Sequence, residues 1–239
     1  MATSSVWAIG AGLVSLSLSV VIGSAQAQET PTGVPPGLMI LWDQMDFPAA
    51  ANGVRSSVHV FEPARDSESA DDFIVPPSAS WTIDRITIWG TYVNHTGPSP
   101  KVAITFYKDP VPFAAVPGEP IYTVTGLTPM DLNGTFITDL QIPLQLTAGH
   151  YWVSVVVIQG VGFDGDWGWK ERTVLNGLPS AWRNPGNFYL TGCTEWAQRQ
   201  STCHVGVAPD LLFRLEGEAV TPPVPPLFSD GFEGSPPAS

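Results

Sequence analysis

Side chains able to do chemistry are sparse in this chain. The most conspicuous are two adjacent carboxylates, Asp71 and Asp72, in SADDFIVPPSASWTIDRITIWG (69–90). A second pair, Asp164 and Asp166, lies in FDGDWGW. Paired carboxylates suit acid–base hydrolysis of a glycosidic bond when they converge at about 5–10 Å. Adjacent residues of an extended strand point to opposite faces, however, so Asp71 and Asp72 cannot both address one substrate there. Calcium is the second reading, because hard cations collect carboxylate and backbone oxygens. Asp71 and Asp72, preceded by ARDSES, would be joined by Asp43, Asp46 or Asp210 from a neighbouring strand end. Asp164-Gly165-Asp166 is another oxygen-rich stretch, without the rest of an EF-hand loop. In the third reading one aspartate caps a turn through backbone N–H groups and the other is solvated.

Other chemistries leave no sign. No G-x-S-x-G, H-E-x-x-H or P-loop motif occurs, so no catalytic residue is assigned. The four histidines, His59, His95, His150 and His204, are scattered, and His150 reads as the polar start of an apolar strand. Tryptophans cluster in DWGWKERTVLNGLPSAWRNPGNFYLTGCTEW, where Trp167, Trp169, Trp182 and Trp196 would make a stacking platform for a glycan. The competing reading is that these rings pack down loops rich in Gly and Pro. Cys193 and Cys203, the only cysteines, are ten positions apart, a spacing that predicts a local disulfide in an exported protein.

The elements holding these residues follow a period of two. KVAITFYKD and DLLFRLEGE alternate apolar and polar positions, whereas YWVSVVVIQ is apolar on both faces and suits the middle of a sheet. SWTIDRITIWG changes parity between Trp81/Ile83 and Ile86/Ile88, which predicts a bulge or corner at Asp84-Arg85. Turn signals separate the strands, among them Asn-Gly at Asn52 and Asn133, and no stretch sustains a helical pattern. With 24 Pro and 23 Gly, the expectation is an all-β, jelly-roll-like sandwich of two antiparallel sheets. Trp81, Ile83, Ile86, Ile88, Phe106 and Phe213 should form its core.

The ends bound the domain. An apolar run followed by Ala25-Gln26-Ala27 reads as a signal peptide over 1–27, although no Lys or Arg precedes Arg55. The alternative is an N-terminal membrane anchor. Removing 27 residues from 239 leaves 212, room for one sandwich. A flexible leader spans 28–37, the domain 38–220, and a Pro-rich tail 221–239. All 22 acidic and 10 basic residues lie after the signal peptide, so the net charge of −12 belongs to the mature chain. Such a surface argues against nucleic acid, and no membrane span is expected after cleavage.

Several segments together resemble a β-sandwich domain that recurs in exported bacterial proteins, alone or appended to larger secreted chains. They are SADDFIVPPSASWTIDRITIWGTYVN, VAITFYKD, LTAGHYWVSVV, the Trp-rich stretch and APDLLFRLEG, with A-D-D-F, V-P and W-T-I as the recurring elements. The resemblance covers nearly all of 38–218 and implies a secreted or periplasmic module without enzymatic activity. The tail LFSDGFEGS resembles a D-G-F-E ending of exported gammaproteobacterial proteins, a sorting or processing tag, although the apolar helix and basic end of a membrane-sorting signal are missing. The expected function is therefore structural or binding, with a polysaccharide or cell-surface partner. Glycan binding through the tryptophans is the alternative, and a carboxylate-dependent extracellular hydrolase the third reading.

Overall fold

The computed structural model describes residues 37–51, 53–94, 97–98, 101–160 and 165–220. The signal peptide, nearly all of the leader, the tail, Asn52, His95 and Asp164 lie outside them. In chain order the first strands are β1 (Met39–Asp43), β2 (Val54–Arg55), β3 (Ser57–His59), β4 (Glu68–Ile88), β5 (Gly90–Val93), β6 (Lys101–Lys108), β7 (Pro120–Leu127) and β8 (Met130–Leu132). There follow β9 (Thr135–Gln159), β10 (Asp166–Trp169), β11 (Glu171–Arg172), β12 (Ala181–Arg183), β13 (Ala197–Gln198), β14 (Asp210–Leu211) and β15 (Phe213–Val220).

Two long strands organise the fold. β4 and β9 run antiparallel from Ala70↔Ser154 to Ile88↔Phe136, with register shifts between Val75 and Ser80 and between Ile83 and Arg85. At the first shift β4 carries Pro76, Pro77 and Ser78, whose φ is +64°, and the pair bends. Beyond the bend β15 joins β4, with β1 outside it; before the bend β6 joins β9, with β7 outside it. Phe73 and Trp81, from opposite sides of the bend, stack at 6.2 Å with planes 7° apart. The bent β4–β9 pair thus closes over the main apolar core, and the chain is an all-β sandwich of large antiparallel sheets. β3 is the exception to antiparallel pairing, lying parallel to β9.

The second shift is the bulge that the parity change implies. Both ladders of β4 skip Asp84, so Ile83 and Ile86 reach the same core although three positions separate them. All six expected core residues are buried, none more than 5% exposed. Asn133 and Gly134, both at positive φ, make the two-residue turn joining β8 to β9. β9 is buried on both faces here: Val153, Val155 and Val157 enter the main core, and Trp152 packs with Ala70, Tyr107 and Ala181 on the other side.

Candidate functional site

Asp71 and Asp72 occupy the interior of β4 and are fully buried on opposite faces. Asp71 accepts hydrogen bonds from Gln44 Nε2 and the Leu211 N–H, each at 2.7 Å. Asp72 accepts from the Leu178 N–H and faces His150 Nε2 at 2.6 Å. The turn reading is corrected: besides the local Asp72 N–H, which donates to Asp71 Oδ1, the N–H donors come from other segments, and neither carboxylate is solvated. Burial, reinforced by the charge of Asp210, raises the Asp71 pKa well above the usual carboxylate range. Burial also pushes Asp210 up to about 7, with the charge of Asp72 adding to the rise. The outer oxygen of Asp210 accepts from the Asn176 N–H; its Oδ1 is buried without a hydrogen-bond partner.

This arrangement gives no two-carboxylate cleft. The pair diverges as strand geometry requires, and no substrate reaches two fully buried side chains. Of the five carboxylates named for calcium, Asp43 and Asp46 are engaged elsewhere. Asp43 turns to Arg214 at 2.8 Å and caps the Met45 N–H, while Asp46 pairs with Arg172. Among the described residues, no group of three His, Cys, Asp or Glu is arranged to hold a metal ion. Asp166 is held by Arg55 at 2.9 Å and by His59 at 3.1 Å. Burial, then the charge of Arg65, lowers the His59 pKa.

The glycan platform is overturned for three of its four rings. Trp167 and Trp169 are fully buried and Trp182 is 1% exposed. Their indole N–H groups donate to the carbonyls of Gly134, Leu212 and Arg55. No ring face remains for a sugar, because a loop region poor in aliphatic side chains uses these rings as its core. Trp196 is half-buried under the Arg183 guanidinium, 4.5 Å from the ring centroid, and against Tyr107. Cys193 and Cys203 form the expected disulfide, both buried beside Trp182.

A constellation that the sequence reading passed over surrounds His150. Its Nδ1 lies 2.8 Å from both oxygens of Asp109, while Nε2 meets Asp72. Asp109 also accepts from Trp152 Nε1 at 2.9 Å and from the Phe113 N–H at 2.8 Å. Carboxylates accept only, and neutral imidazole carries one N–H, so both contacts are hydrogen bonds only when the ring is protonated. Burial pushes the His150 pKa down, but the bonds to Asp72 and Asp109 outweigh it and the net shift is upward. One sequence signal pointed here. Asp109 ends FYKD, His150 opens HYWVSVV, and antiparallel pairing of Lys108 with Tyr151 sets the two polar ends side by side.

His150 and Asp109 form part of the floor of a cleft of about 860 Å³ between the 109–119 loop and the bend of β4 and β9. Its walls are mainly apolar, including Val75, Pro77, Val111, Phe113, Ile121 and Tyr151, and Lys108 and Glu119 stand among them. Phe113 is 65% exposed, sits at φ +56° and lays its ring 5.3 Å from the imidazole. The chain matches no protein-family model, no curated protein and no solved structure.

Proposed function

We propose that this chain is an exported, non-catalytic β-sandwich module that seats an apolar ligand group in the cleft beside His150. The cleft itself carries the reading. It is large, apolar and walled by an exposed phenylalanine in a backbone conformation that bulky residues adopt at a cost. Asp71 and Asp72 are engaged by protein donors, which leaves the binding reading ahead of the hydrolytic one. Neutral N-phenyl-1-naphthylamine, whose fluorescence rises in apolar sites, tests it. One saturable site is expected, with affinity at least fivefold weaker in Phe113→Gly and unchanged in Phe61→Ser, a residue outside the cleft. No saturable binding, or binding indifferent to Phe113, overturns the reading.

A further inference from the structure

We propose that protonated His150 is a latch that holds the Asp109–Phe113 wall of the cleft in place, and that loss of its proton releases this wall. The effect on ligand binding rests on the cleft being the seat proposed above; the latch does not. Two acceptor-only carboxylates grip the ring from different elements, Asp72 from the middle of β4 and Asp109 from the chain leaving β6. They are the charged groups hydrogen-bonded to it; Lys108 and Glu119 line the cleft nearby, and Asp71 and Asp210 act on Asp72 from behind β4 through their charges.

Deprotonation leaves one N–H between two carboxylates, so one contact turns from a hydrogen bond into a lone pair facing an anion. Asp72 cannot retreat. It is fully buried, accepts from the Leu178 N–H through both oxygens, and lies against Gly177, where an added Cβ would sit 2.3 Å from Oδ2. Asp109 sits beside the loop, so it gives way. The loop is tied to it, because the N–H of Phe113, a residue at positive φ, donates to Asp109 Oδ2. The upward shift of His150 places the release above the ordinary imidazole value of 6.5. A ligand would then be held below the His150 titration and let go above it.

The test follows the isotopically labelled protein by NMR from pH 5.5 to 9.5, reading the His150 ring shifts and the hydrogen-exchange protection of the Phe113 amide. Exchange is corrected for the intrinsic rate at each pH. Protection should fall at least tenfold as His150 titrates. In Asp109→Asn, which keeps an oxygen for the Phe113 N–H, that pH dependence should vanish, as it should in His150→Gln if that variant folds. The proposal is overturned if His150 does not titrate in this range, if it titrates without change at Phe113, or if the change survives in Asp109→Asn. N-phenyl-1-naphthylamine affinity should weaken in step with protection. A pH-dependent loop with no binding at any pH keeps the latch and removes the ligand seat.

Discussion

Buried charge dictates the residues around it. At φ +93°, Gly177 already occupies a conformation unfavourable to other side chains, and its close approach to Asp72 leaves no room for a methyl group. Gly177→Ala should therefore cost roughly 1–3 kcal/mol, read from the urea midpoint at neutral pH. An unchanged midpoint would show that the carboxylate moves aside freely. Arg199 makes the complementary case. It is fully buried and donates to Glu171 Oε1 at 2.5 Å, Ser180 Oγ at 2.9 Å and the Val205 carbonyl at 3.1 Å. Glu171 in turn accepts the N–H groups of Val207 and Ala208, so the pair fastens the 205–208 segment to β11. Arg199→Ala strands a buried carboxylate and should lose about 3–5 kcal/mol. Adding Glu171→Gln removes that charge and should return part of the loss; a double variant as unstable as the sum of two singles would separate the residues energetically.

Among the elements, the Trp-rich loops have little regular structure between β12 and β14, and the disulfide closes part of them. With cysteines ten residues apart, chain entropy assigns the bridge about 2–3 kcal/mol. Replacing both by Ser should lower the unfolding free energy by that amount in buffer without reductant. A negligible loss would mean that Trp182 and its neighbours hold the loops unaided. The strands were legible because a period of two, and its break at Asp84, are local features of the chain. The tryptophans were legible as a cluster but not in their role, since composition does not say which way a ring faces. His150 stayed hidden for a different reason. Its partners are 78 and 41 positions away, and only the β4–β9–β6 pairing brings them together.

For the whole molecule, the buried acids invert the usual response to pH. Burial raises the pKa of Asp71, Asp72, Asp210 and Glu216. In the unfolded chain such groups release their protons near pH 4. Between there and their folded values, about 7 for Asp210, the folded protein holds protons that the unfolded chain has given up. Stability then falls as pH rises, fully present below the ordinary carboxylate range and lost on passing the folded pKa. His150, shifted upward, extends the decline above its ordinary 6.5. His59 opposes it: its pKa is lowered chiefly by burial, so its contribution grows with pH up to about 6.5. A net charge of −12 adds self-repulsion as the carboxylates ionise. Four raised acids and a raised histidine against one lowered histidine decide the sign, and the thermal midpoint should be several degrees higher at pH 5 than at pH 7.5. Asp210→Asn keeps an oxygen for the Asn176 N–H and cannot ionise, so it should flatten that difference. A wild-type midpoint that climbs from pH 5 to pH 7.5 would mean that these carboxylates are charged and compensated in the folded state.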